Sequence, residues 1–240
     1  MLSLSQILLY SLGMKKIIRV WDLPIRLFHW LLVLCIVGSL VSVNIGGNAM
    51  EWHAYFGYSI LVLLLFRVVW GFIGSTHARF ASFFPSKENL LNYLSGKSPR
   101  VLGHNPLGAI SVFALLFVLS VQVFTGLFVD DEIAFQGPLS KYVSNALVSI
   151  FAQIHEGNQF LIYTFITIHI AAIVYYRKFK GEDLIGPMFS GDKEIDPSEE
   201  ANYLPADLGR PSKDGFMQRT LALILLSVIA VAVGYLITSS

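Results

Sequence analysis

From Leu27 to Ala49 the chain carries no charged residue. A run of that length crosses the ~30 Å hydrocarbon core of a bilayer as an α-helix. Inside the core every backbone donor and acceptor has to be satisfied within the protein, which leaves helices or a closed barrel. Four further stretches read as spans, about residues 50–74, 105–129, 154–177 and 216–237. Composition agrees, because only 14% of the 240 residues are charged, against about a quarter in soluble domains. The expected fold class is therefore all-α integral membrane, with five transmembrane helices.

The fourth span, from Ile154 to Arg177, has a histidine near each end. His155 and His169 are fourteen residues apart. At ~100° per residue this falls about 40° short of four turns, so the two imidazoles share a face about 21 Å apart along the axis. Polar side chains are costly inside a bilayer and by default mark a functional site. His29 opens the first span in RLFHW, and His53 opens the second in HAYFG.

Lys and Arg orient the bundle. With five spans, the N-terminus, the loop 75–105 and the segment 178–215 share one side. That side and the span ends beside it hold every Lys and Arg except Lys141, so it is expected to be cytoplasmic, with the C-terminus periplasmic. Opposite lie Glu51, Asp130, Asp131, Glu132 and Glu156. This topology puts His29 and His169 at one depth, near the cytoplasmic surface. It puts His53 and His155 at another, near the outer surface.

Two imidazole pairs, one per leaflet, suit two haem b groups, each with an imidazole above and below its iron. Such iron is closed to exogenous ligands, which favours electron transfer over oxygen chemistry. There is no CxxCH motif, so any haem is held without thioether bonds. Arg26 precedes His29 by three residues on the same side of the helix. Arg67 stands fourteen residues after His53. Both are candidate partners for propionates, or they snorkel to headgroups. Gly57, one turn after His53, lets a flat ligand approach closely.

Smaller expectations follow. Ser86 is an N-cap for a short interfacial helix, Lys87 to Ser95, ended by Gly96. Val143 to Phe151 form a short helix of their own. GDKEIDPSEE is a flexible surface loop. His77 is a solvated loop histidine, and His104-Asn105-Pro106 starts the third span rather than binding quinone. Gln122 is helix glue. Met14 is the biological start, or residues 1–13 lie on the surface. The single cysteine, Cys35, excludes an intrachain disulfide, and no motif points to nucleic acid.

RLFHW, HAYFG with FRVVWGFIG, GHNPLG and the HE–H pair of the fourth span resemble the bacterial cytochrome b561 family. They are nearest its branch of nickel–iron hydrogenase b-type cytochrome subunits. The resemblance covers roughly Val20 to Lys193. It implies axial-ligand roles for His29, His53, His155 and His169, and electron exchange with membrane quinone and with a partner at the outer face. The domain expectation is a cytoplasmic segment 1–19, a di-haem four-helix bundle 20–193, a cytoplasmic loop 194–215 and a fifth helix 216–240. The fifth helix departs from the four-helix core and either docks a partner or packs in a homodimer.

The expected function is transmembrane electron transfer between the quinone pool and a periplasmic redox protein, such as a c-type cytochrome, in the bacterial inner membrane. Alternatives are the membrane anchor of a periplasmic hydrogenase, superoxide oxidation at the outer haem or, in another class, a transition-metal transporter. The transporter would need acidic or thiol ligands at mid-depth, and none of the five spans has an Asp or Glu in its interior.

Overall fold

A computed structural model describes residues 15–130 and 135–239. The expected start at Met14 and the acidic pair Asp131 and Glu132 lie outside the described residues. Five helices are long and apolar enough to cross a membrane. They are α1 (Leu23–Ile45), α2 (Met50–Ile73), α4 (Pro106–Gly126), α5 (Asn145–Phe179) and α8 (Phe216–Ser239). Shorter elements are β1 (Lys16–Arg19), α3 (Lys87–Leu94), α6 (Gly186–Ser190), β2 (Asp192–Ile195) and α7 (Pro205–Leu208). The chain is an all-α integral membrane protein.

The chain divides into two compact units. The first comprises Leu27–Trp70, Ser111–Ala172 and Thr220–Ser240. Its helices expose large apolar side chains, Phe117, Phe160 and Val231 among them. A water-soluble domain seldom shows so much apolar surface, whereas lipid tails cover it. Hydroxyls in the spans satisfy themselves on the preceding turn, as Thr125 and Thr164 do on the carbonyls of Val121 and Phe160. Gly38 leaves room for the ring of Phe56, which a β-carbon there would strike at 2.5 Å. The amide of Asn158 donates to the Val118 carbonyl at 3.0 Å and to Gln122 Oε1 at 2.8 Å. Gln122 in turn donates to the His155 carbonyl at 3.1 Å. The side chain of Gln122 therefore ties α4 to α5.

Of the described residues, the second unit comprises 15–26, Gly71–Ile110 and Ile173–Arg219. Here two segments far apart in sequence pair as antiparallel strands, Lys16 opposite Ile195 and Arg19 opposite Asp192. The stretch expected to be a flexible loop is thus ordered. Asp192–Ile195 forms β2, and Pro197–Asn202 forms a 3-10 helix capped by Asp196. The physical reason is charge matching. Lys16 pairs with Glu200 at 2.5 Å, Arg19 with Asp192 at 2.6 Å and Arg100 with Glu199 at 3.0 Å. Ile195, 1% exposed, supplies an apolar anchor.

Ser86 caps α3 as expected, its hydroxyl accepting from the Asn89 N–H at 3.1 Å. Asn105 caps α4, its side chain accepting from Gly108 N at 2.8 Å, with Pro106 in the first turn. The separate helix expected over Val143 to Phe151 does not exist. Those residues lead into and form the first turns of α5, which runs unbroken for 35 residues. No proline interrupts it, and Gly157 costs a helix only about 1 kcal/mol. Its length, ~52 Å at ~1.5 Å per residue, exceeds the ~30 Å hydrocarbon core. The helix therefore projects beyond it.

Candidate haem site

Within the first unit His53 from α2 and His155 from α5 face each other. Their ring centroids are 6.2 Å apart and the planes are nearly perpendicular, at 84°. Each ring is fixed from behind. His53 Nδ1 is 3.1 Å from the Ser39 carbonyl and 3.0 Å from its hydroxyl. His155 Nδ1 is 3.0 Å from the Gln122 carbonyl and 3.3 Å from the Thr125 hydroxyl. A carbonyl can only accept, so each Nδ1 carries the proton and each Nε2 keeps its lone pair. That is the usual arrangement behind a metal-ligating histidine.

The pair fits a haem iron on geometry. Two metal–imidazole bonds of ~2 Å each, with the ring radii added, span roughly 6 Å between centroids. A cavity of about 260 Å³ adjoins the rings, with Gly57, Gly126, Tyr58, Glu156 and Gln159 in its wall. Nothing lies within 4 Å of where a Gly57 β-carbon would sit, so that glycine borders open space. Gly126 was not singled out from the sequence. A β-carbon there would come 2.9 Å from His155 Cε1, so the bare backbone is what admits the ring. A glycine at the end of an apolar span was the only sequence signal for it. Ser39 has no signature in the sequence either, because its backbone carbonyl does the orienting.

His29 in α1 and His169 in α5 are within electrostatic reach of each other. His29 is packed edge-on to Trp30, with centroids 4.9 Å apart. Its Nδ1 is buried without a hydrogen-bond partner. A buried polar atom left open points to a missing group or water. Unlike the His53–His155 pair, this imidazole has no carbonyl behind it among the described residues. The described residues hold no cluster of three or more His, Cys, Asp or Glu suited to a metal ion. Pairs of imidazoles are what a porphyrin iron needs.

The arginines behave differently. Arg67 in α2 is only 3% exposed. Arg26, in the second unit, donates from Nη1 to the Phe189 carbonyl at 2.5 Å and lies 3.6 Å from Asp214. Its guanidinium thus already has protein acceptors.

His77 corrects an expectation. It is 7% exposed rather than solvated. Gly103 packs against it, and a β-carbon there would come 3.3 Å from Nδ1. Burial pushes the imidazole below its ordinary 6.5, with Asp207 and the Arg210 backbone opposing. His104 sits between Trp21 and Phe83, at 4.8 and 4.4 Å between centroids.

The family described as Prokaryotic cytochrome b561 matches residues 20–191. Relatives named "Probable Ni/Fe-hydrogenase B-type cytochrome subunit" are similar over most of their length. The one from Rhizobium leguminosarum is 24% identical over 222 residues, 78% of this chain and 92% of that protein. The one from Cupriavidus necator is 23% identical, over 73% of this chain and 86% of its own. That of Azotobacter chroococcum is 25% identical, over 72% and 87%.

Proposed function

The chain belongs to the prokaryotic cytochrome b561 family, multi-pass bacterial membrane proteins that bind haem b, and from that premise we propose a two-haem electron carrier. It moves electrons across the cytoplasmic membrane between the quinone pool and a periplasmic redox protein such as a c-type cytochrome. His53 and His155 hold the outer haem, and His29 and His169 hold the cytoplasmic one. The N-terminus is cytoplasmic and the C-terminus periplasmic. The first four spans form the haem bundle, and the fifth is an addition to it.

The facing pair of His53 and His155 carries this reading. Both rings are held by backbone carbonyls in the tautomer that ligates through Nε2. Between two imidazoles a haem iron supplies reversible one-electron storage with no open coordination position. The protein's part is orientation, through Ser39, Gln122 and Thr125, and exclusion of water by the apolar spans.

A second reading has specific support. The relatives are named as hydrogenase cytochrome subunits, so the periplasmic partner would be a hydrogenase and the electrons would run toward quinone. Haem stoichiometry tests the shared core of both readings. Purified protein is expected to contain two haems per chain, both extractable by acid acetone. One haem, or pigment that stays with the polypeptide, overturns the assignment.

A further inference from the structure

One carboxylate in the second unit, Asp214, gathers three arginines. Its side chain is 5% exposed. Oδ2 accepts from Arg19 Nη1 at 2.5 Å, and Oδ1 and Oδ2 accept from Arg219 Nε and Nη2 at 3.1 and 3.2 Å. Oδ1 also accepts from the backbone N–H of Leu23 at 3.1 Å, the first residue of α1. Arg26 is the third arginine, 3.6 Å from Oδ2. Burial pushes the Asp214 carboxyl up, yet the bonds from Arg219, Leu23 and Arg19 hold it below its ordinary range. It is therefore ionised at neutral pH.

Arg26 is packed as if its placement matters. Its side chain is 13% exposed. The Phe189 carbonyl holds Nη1. Gly191, at φ +88°, leaves space that a β-carbon would fill 3.1 Å from Arg26 Nε. Arg19 has a second carboxylate, Asp192. For Arg26, Asp214 is the only carboxylate paired with it among the described residues. Arg26 also stands one helical turn before His29 in α1, and a charge so near an iron ligand bears on the iron's potential.

We propose that Asp214 is a positioning residue for Arg26, setting how much of that arginine's positive charge acts on the haem held by His29. This rests on His29 being a haem ligand. A positive charge near the iron disfavours the oxidised state, and Asp214 offsets part of Arg26's charge.

The test is a redox titration of the purified, haem-loaded protein. Asp214→Asn is expected to shift the haem lost on His29→Ala toward the reduced state by roughly threefold, ~28 mV at ~59 mV per tenfold. The other haem stays put. In an Arg26→Gln background the same substitution is expected to shift that haem less, since the part of its effect that runs through Arg26 is lost. Asp192→Asn removes one charge from the same cluster without touching Arg26, and is expected to leave both potentials unchanged. Asp214→Glu should restore the wild-type value.

Equal shifts from Asp214→Asn with and without Arg26, or an equal shift from Asp192→Asn, overturn the proposal. If Asp214→Asn loses its haem, Arg219→Gln replaces it. Freeing Asp214 from Arg219 should shift the same haem toward the oxidised state only while Arg26 is present, and equal shifts in both backgrounds again overturn the idea. Wild-type protein lacking haem would instead sink the proposed function, and the visible spectrum shows that before any titration.

Discussion

At the scale of single residues, the candidate haem-ligating histidines do not share one environment. His53 and His155 have carbonyls behind Nδ1, whereas His29 Nδ1 is buried and open. His29→Ala and His169→Ala are each expected to remove one and the same haem, and His53→Ala and His155→Ala the other. Spectra of the four variants check this, and a common loss from His29→Ala and His53→Ala contradicts it. The helical spacing of His155 and His169 made these positions legible in the sequence. Gly126, Ser39 and the Asp214 cluster were not legible, because they act through a missing side chain, a backbone carbonyl and contacts distant in sequence. His77 was misread for the same reason, since a histidine in a polar loop looks solvated until Gly103 and the chain around Ser212 cover it. Its burial gives a pH prediction. The folded state holds the imidazole below the ordinary 6.5, so below that pH the unfolded chain binds a proton that the folded protein resists. Stability is then full above about pH 6.5 and falls on acidification through the window beneath it. Thermal unfolding of detergent-solubilised protein at stepped pH should show this slope reduced in His77→Gln.

At the scale of elements, the long helices were legible to within a few residues from their apolar runs, except that α5 begins at Asn145, nine residues before the expected Ile154. The strands were not. DKEI has three charged residues and a single apolar one over only four positions, and a short charged stretch reads as solvated loop. Only its partner, KIIR from the other end of the chain, gives it a strand's surroundings. Within β2, Lys193 is buried. Its ammonium is 2.8 Å from Glu182 and 5.4 Å from the centroid of the Tyr203 ring, and its side chain is 9% exposed. Such a buried pair contributes little net stability when intact, but losing one partner leaves the other charge stranded. Lys193→Ala is expected to destabilise the protein by about 3 kcal/mol, partly recovered by Glu182→Gln on top of it. The doubly substituted protein should unfold at a higher temperature than Lys193→Ala alone. Additive losses would show that Glu182 and Lys193 do not depend on each other.

At the scale of the whole molecule, charge is divided as sharply as hydropathy. Sixteen of the 17 Lys and Arg fall on the side assigned to the cytoplasm, leaving Lys141 opposite. Counted over the full sequence, the opposite side carries five acids against that one lysine, a net −4. Two of those acids stand close to His53 or His155, the pair proposed to be the outer one. Glu156 borders the cavity beside His155, and Glu51 stands two residues before His53. An acidic rim around a redox centre attracts a partner with a basic patch at its own haem edge, and it acts mainly on the rate of encounter. Exposed charges are screened over ~8 Å at physiological ionic strength and over ~30 Å at 0.01 M. Electron exchange with a basic c-type cytochrome is therefore expected to slow steeply as salt rises from 0.01 to 0.15 M, the potential of the haem proposed at His53 and His155 staying nearly constant. Glu51→Gln with Asp130→Asn should flatten that dependence and lower the low-salt rate. Glu156 is left unaltered because its place in the cavity wall would mix steering with haem binding. Stopped-flow rates over a salt series decide the matter. A rate indifferent to salt, or an unchanged slope in the double variant, would mean that the acidic rim does not recruit the partner.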